Sequence, residues 1–481
     1  MINNEGGLTV RKKNMLPPFL IGMLACIYLA LCAVDIFLAM ALIFASAALF
    51  AFIKNVDLSF MLYIIVLPFC QISYLSQLSI GVNGLRLLCL LFAVFLFMFF
   101  IYKKLYNINA SLNVFFIVIF MLYGIAWIRS AGYATKVFSD NPAGELPILH
   151  YMLNYVSWTF LAFIPLVAIA YFYRDHKDLD KVVKTVAISM ILLSGYLFFA
   201  FFFKTGSKTD FETIRTELGS FIGMHLNDTA NYFMLAFPVI LAWALYEKGL
   251  FSKVALAAVI AGTAICFSRT AYFLLVFGFL LFMFLSGKLK WIPIAVAAAG
   301  IALYFLLPAI VIDRALTGIF SGGYDELSAG RVTFIWQPLL NELWTDPQLM
   351  LFGSGRFGIL ETNAWQQGRI SMVSHAHNMY LDGILDVGLV GLVIFLAFFA
   401  IVIIQFLKNS VKYRRVLPYH SNLLNGCIAS IICYLISGMT GRTFFPGIAN
   451  AYLWLVIGLG IAICAFARRS EKNIAAISSI K

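Results

Sequence analysis

Ser374-His375-Ala376-His377-Asn378 stands directly before a long apolar run that holds Gly388 and Gly391. Imidazole ordinarily titrates near neutral pH, so a histidine at the mouth of an apolar segment is suited to proton transfer. Two arginines occupy comparable places. Arg215 lies in Arg-Thr-Glu-Leu-Gly, ahead of Asn227-Asp228-Thr229-Ala230-Asn231, and Arg269 lies in Ser268-Arg269-Thr270 between two apolar runs with almost no loop around it. A guanidinium left alone in lipid is costly, so each must be partnered or face a polar cavity. Its rigid fork of donors suits a diphosphate. The alternatives stay open: snorkelling or an ion pair with Glu217 or Asp228 for the arginines, and capping of its own helix turn for His377.

Weaker candidates surround these. His375 and His225 are either further donors at the site or plain loop residues. Arg331, in Gly330-Arg331, together with Trp336 can line a saccharide groove, with the indole face stacked on sugar C–H groups; packing within a lid explains both equally well. Asp382 and Asp386 are expected to form structural ion pairs with an arginine such as Arg442 in Gly441-Arg442-Thr443, or to position an acceptor hydroxyl. Asp178-Leu179-Asp180 resembles a metal-holding Asp-x-Asp, but it lies among Arg174, Lys177 and Lys181 and reads as a solvated charge cluster. No metal and no cofactor are therefore expected, and diphosphate charge falls to arginine. The eight cysteines (Cys26, Cys32, Cys70, Cys89, Cys266, Cys427, Cys433 and Cys464) lie in or beside apolar segments without CxxC spacing, as packing residues do.

The elements that must hold these residues are membrane helices. Hydrophobic residues make up 62% of the chain and charged residues 12%, with a mean hydropathy of +0.93. That composition excludes a soluble domain, and the unbroken apolar runs exclude an alternating outer-membrane barrel. The expected fold is all-α, a polytopic transmembrane bundle of 12–14 spans with one large periplasmic loop. Candidate spans are 16–33, 36–53, 58–78, 85–102, 112–128, 151–173, 182–203, 229–246, 250–267, 270–285, 291–308, 379–407, 422–438 and 449–466. Arg11, Lys12 and Lys13 precede a first helix that is read as retained rather than cleaved. With a cytoplasmic N-terminus, strict alternation puts Lys288/Lys290, Lys408/Lys412/Arg414/Arg415 and the Arg468/Arg469 tail inside, and most acids outside. The net charge of +12 thus reflects topology, not nucleic-acid binding.

The chain divides into N-terminal spans (1–308), a folded periplasmic loop (309–378) and C-terminal spans (379–481). On a helical wheel His377, Leu381, Ile384, Gly388 and Gly391 share one stripe, where the glycines would admit a neighbouring helix. Asp382 and Asp386 point the other way.

At these residues the sequence resembles the O-antigen ligase and polymerase superfamily. Its ligase signature is His, then Asn, Ser or Gln, nine residues, Gly, two residues, then Gly, Thr or Tyr. This chain matches it at His377-Asn378, Gly388 and Gly391. Ser268-Arg269, Arg215 before the Asn-containing span, the Gly-Arg/Trp pattern at 330–336 and Gly353-Ser354-Gly355 are also similar, so the likeness covers about 205–395. The resemblance implies a metal-independent, inverting glycosyltransferase of the bacterial inner membrane, with both termini cytoplasmic and a periplasmic active site. The donor would be an undecaprenyl-diphosphate-linked glycan and the acceptor a sugar hydroxyl on a growing glycan or on lipid A-core. Membrane lipids and polysaccharide assembly proteins would be its other partners. Arg215 and Arg269 would bind diphosphate and stabilise leaving-group charge, while His377 would orient or deprotonate the acceptor. Gly223-Met224-His225 and Ile335-Trp336-Gln337-Pro338 resemble exopolysaccharide-linked members, which favours polymerase over ligase. A transporter or flippase of lipid-linked sugars is the alternative from another class. It would call for inverted repeats and midplane charges, whereas here no repeat is visible and the polar residues gather at one face.

Overall fold

The computed structural model describes residues 55–70, 110–138, 156–173, 175–204, 211–247, 249–293, 328, 330–370, 373–441 and 443–478. The expected spans 16–33, 36–53 and 85–102, and 291–308 beyond residue 293, lie outside the described residues. Two compact units divide the chain, 1–59 and 60–481; apart from the first residues of α1, everything below belongs to the second.

Helices account for all the regular structure among the described residues. In order they are α1 (Val56–Val66), α2 (Ala110–Phe138), α3 (Ser157–Phe172), α4 (His176–Lys204), α5 (Phe211–Ile222), α6 (Leu226–Ala244), α7 (Leu250–Ile265) and α8 (Arg269–Leu285). There follow α9 (Gln337–Thr345), α10 (Pro347–Phe352), α11 (Asn363–Gln366), α12 (Met379–Tyr413), α13 (Pro418–Ser437) and α14 (Ala451–Ser478). Five segments, in α2, α4, α12, α13 and α14, are long and apolar enough to cross a membrane, and α3, α7 and α8 are shorter apolar helices. The protein is an all-α polytopic helix bundle.

At the centre is α6, buried on every side from Thr229 to Trp243. Helix α13 reaches it through small residues: a Cβ on Gly426 would stand 2.7 Å from the Pro238 carbonyl oxygen, and Ser430 Oγ donates to the Leu235 carbonyl at 2.7 Å. Helices α14 and α3 cross as closely, since a Cβ on Gly458 would lie 2.8 Å from Leu166 Cα. Small residues at crossings let backbones approach where lipid removes the hydrophobic drive for association.

The bundle has two unlike ends. At one, Arg414 donates to the Leu285 carbonyl at 2.7 Å, Lys412 pairs with Glu471 at 2.7 Å and Tyr419 donates to Asp180 at 3.1 Å. Lys288, Lys290, Arg415, Arg468 and Arg469 belong to the same helix ends. Asp180 also pairs with Lys184 at 2.8 Å, so this half of the Asp178–Asp180 pair is engaged in the ion-paired cluster. The other end collects the starts of α6, α8, α12 and α14 and the last turn of α13.

At that second end the loop region packs on an apolar core that it shares with α12 and α2. Ile335, Leu339, Leu343, Ile359, Leu360 and Ala364 are buried together with Leu381 and Leu385 of α12. Helix α12 is not straight. Gly388 has φ +74 and ψ 175, which interrupts the helix, and α10 fills the break: a Cβ there would stand 2.0 Å from the Leu351 carbonyl oxygen. The stripe expected from His377 to Gly391 therefore does not form. His377 lies before the helix, and Gly388 admits the loop's backbone instead of a neighbouring span.

Candidate active site

His377 is one of three non-glycine residues with positive φ among the described ones, at +53. Such a conformation costs about 1–3 kcal/mol and persists only where the surroundings impose it. They do so on both sides. Asn378 is the N-cap of α12, its side-chain oxygen accepting from the Tyr380 and Leu381 amides at 3.0 and 3.3 Å. On the other side, both polar groups of the buried Ala376 peptide are held. Its N–H donates to Asp382 Oδ1 at 2.7 Å, and its carbonyl accepts from Trp336 Nε1 at 2.8 Å. His375 and His377 flank this clamped residue with ring centroids 4.1 Å apart. Asp382 thus folds back onto the histidine loop, one turn into its helix.

A hydrogen-bonded hub at Thr440 ties the remaining segments to this loop. Arg331 Nη1 donates to the Thr440 carbonyl at 3.0 Å, and Thr270 Oγ1 donates to Thr440 Oγ1 at 3.2 Å. The next residue, Gly441 (φ +109), lies against His377, where an added Cβ would stand 3.5 Å from Nδ1. Arg269 is half-buried at the first position of α8, beside Thr270, directly after the three-residue turn that follows α7, in which Phe267 has φ +50. Arg442 lies outside the described residues.

Electrostatics join His225 to the cluster. Burial, then the neighbouring His375, Arg331 and His225, pushes the His377 imidazole down to about 3. His375 is also lowered, by burial first and then by Arg356, with Asp228 opposing. Both rings are therefore neutral at physiological pH. His225 caps α6, its Nδ1 accepting from the Asn227 amide at 3.2 Å, so a neutral ring carries its proton on Nε2. Arg215 Nη2 nevertheless faces that Nε2 at 3.3 Å. Two donors confront each other there, and the buried Nε of Arg215 has no protein partner among the described residues. An anionic oxygen would satisfy such a cluster of donors.

The structure thus gathers His377, His375, Arg331 and His225 into one electrostatic neighbourhood, joins Arg215 to it through His225, and brings Thr270, next to Arg269, to the same hub. Trp336 and Asn378 are present but partly committed: the indole N–H to Ala376 and the Asn378 oxygen to the helix cap. The indole also packs against the apolar core of the loop region.

Asp386 is held by an arginine that the sequence did not single out. Asp386 pairs with Arg356 Nη1 at 2.6 Å and accepts from the Gly358 amide at 2.9 Å. The guanidinium is sandwiched by Phe357 and Phe445, with centroids 4.4 and 4.8 Å away. Arg129 of α2 was also missed; it donates to the Phe352 and Gly353 carbonyls at 2.8 and 2.6 Å. A usable signal was present in Gly353-Ser354-Gly355-Arg356-Phe357-Gly358, where an arginine sits among glycines that allow close backbone approach.

Residues 254–396 match a family described as O-antigen ligase. The segment includes Arg269, Arg331, Trp336, His375, His377 and Asn378 and leaves Arg215 and His225 outside. No curated protein sequence matches the chain. Over 254–396, less than half of its length, this polytopic helix bundle is similar to the O-antigen ligase family, and the match supports the likeness to the O-antigen ligase and polymerase superfamily.

Proposed function

We propose that the protein transfers a glycan from an undecaprenyl-diphosphate carrier to a sugar hydroxyl at the periplasmic face of the bacterial inner membrane, lengthening an O-antigen or exopolysaccharide chain. The observation that carries this reading is the convergence of the neutral His377 with Arg331, His225 and the donor-rich Arg215 at the end of the bundle away from the basic cluster. The positive-inside rule assigns the basic end, with the C-terminus, to the cytoplasm. The histidine end is then periplasmic, level with the diphosphate of a lipid-linked donor.

The step is a single inverting displacement. The acceptor hydroxyl oxygen attacks the anomeric carbon, its proton passes to His377, and the bond from that carbon to the diphosphate oxygen breaks. Arg215 and Arg269 receive the charge that develops on the diphosphate, and fixed donors at such a position are a large catalytic contribution. No metal ion is required in this scheme, since arginine carries the neutralisation. An imidazole held near 3 is a weak base in the resting site. Burial is the main cause of the depression, and arrival of a diphosphate would offset the Arg331 charge that adds to it, so basicity would rise when the donor is bound. Arg331, Trp336, His375, Asn378, His225 and Arg442 are assigned to the saccharides and the diphosphate rim.

One observation favours a second reading: the matched family is described as O-antigen ligase, and a ligase would deliver the finished glycan to lipid A-core. Purified protein in proteoliposomes, supplied with lipid-linked repeat units with and without lipid A-core, separates the two. Longer lipid-linked chains are expected. Product on the core alone would make it a ligase, and movement of the substrate across the bilayer without any new glycosidic bond would make it a transporter.

A further inference from the structure

The outer face of the loop region carries apolar side chains that its core does not use. In α9, Leu339 and Leu343 enter the core, while Leu340 and Trp344, one turn apart, face outward with Trp344 77% exposed. Leu351 and Phe352 close α10 and are also exposed, Phe352 by 58%. The ionisable groups along this strip are turned to backbone partners. Glu342 accepts from the Asn363 and Ala364 amides at 2.5 and 2.8 Å, Asp346 caps α10 at 2.9 Å, and Arg129 grips the Phe352 and Gly353 carbonyls.

This strip continues into the lipid-facing surface of two spans. Helix α10 sits in the break at Gly388, immediately before the exposed Leu389, Val390 and Val393 of α12. On its other side Arg129 joins it to α2, where Ile125 and the 78% exposed Ile128 face outward. A water-facing loop gains nothing from such a surface, whereas an amphipathic helix with tryptophan at its edge is suited to the headgroup boundary.

We propose that the Leu340–Trp344 and Leu351–Phe352 face of the loop region is embedded in the bilayer interface, so that α9 and α10 are a membrane-seated platform and not a lid swinging in water. Its consequence rests on the proposed function. Trp336, immediately before α9, holds the Ala376 carbonyl, so seating the platform in lipid sets the depth of His377 relative to a diphosphate anchored in the same membrane.

The test uses full-length protein in phosphatidylcholine vesicles, with the emission of Trp344 taken as the difference between wild type and Trp344→Phe. Vesicles made with lipids brominated near the top of the acyl chain should quench most of that difference emission, and aqueous iodide should quench little of it. Quenching by iodide and not by brominated lipid would overturn the proposal. Protection from both quenchers would also overturn it, since another protein surface would then cover the patch. Because the readout is optical, a failure of the glycan-transfer reading leaves this result interpretable. Leu340→Glu with Trp344→Glu should reduce quenching of Trp365 and Trp336 by the same lipids if the platform lifts away.

Discussion

Replacing Asp382 by alanine tests whether the histidine loop is preorganised. Asp382 is 5% exposed and Ala376 is fully buried, so without the carboxylate the Ala376 N–H is left unpaired away from water. The lost hydrogen bond is worth about 0.5–1.5 kcal/mol and the stranded donor about 1–3 kcal/mol. Against this stands a His377 backbone conformation costing about 1–3 kcal/mol, which the loop can relieve once the clamp opens. A misplacement penalty of about 2 kcal/mol corresponds to roughly a 30-fold fall in kcat. Asp382→Asn keeps an acceptor at the same position and should lose only about 3-fold, by the same conversion. The assay is single-turnover glycan transfer in proteoliposomes, with KM for the lipid-linked donor measured alongside and expected to change little. Near wild-type kcat in Asp382→Ala would refute the clamp. Equal damage from both variants would mean that charge, not the hydrogen bond, is what Asp382 supplies.

Asp386→Asn removes one partner of a buried ion pair and should destabilise the protein by about 3–5 kcal/mol, read as a lower thermal midpoint in detergent, with partial recovery when Arg356→Met is added. Gly388→Ala places a methyl group 2.0 Å from a carbonyl oxygen at φ +74. It should undock α10 and expose its junction to protease, while Gly124→Ala, which has open space around it, should leave the digestion pattern unchanged. His377 is held near 3 by burial and positive neighbours, so kcat/KM should show no histidine-like fall as pH drops from about 8 to 5, the range around imidazole's ordinary value. Arg331→Gln removes one positive neighbour, which raises the His377 value and should move the acid limb of the profile upward. An unmoved limb would take Arg331 out of the electrostatic neighbourhood.

The acids on α12 show how far local reading carries. Asp382 and Asp386 were legible as structural residues because a carboxylate in an apolar helix needs a partner. The partners themselves were not. Arg356 lies 30 positions before Asp386, and the two meet only because α10 enters the break at Gly388. His377 was read on a helical stripe because the wheel assumes an unbroken helix from 377 onward. The helix instead starts at Met379, since Asn378 caps it and Ala376 is fastened from both sides.

Sequence alone determined the class of fold and the residues in contention. Hydropathy adds up residue by residue along a run, and an ionisable group beside a span is conspicuous wherever the chain goes afterwards. Only the tertiary structure decided which groups touch. The hold of Trp336 on Ala376, the pairing of Arg356 with Asp386 and the hub at Thr440 each join segments far apart in the chain, and such contacts depend on how helices cross and break. No local pattern encodes them.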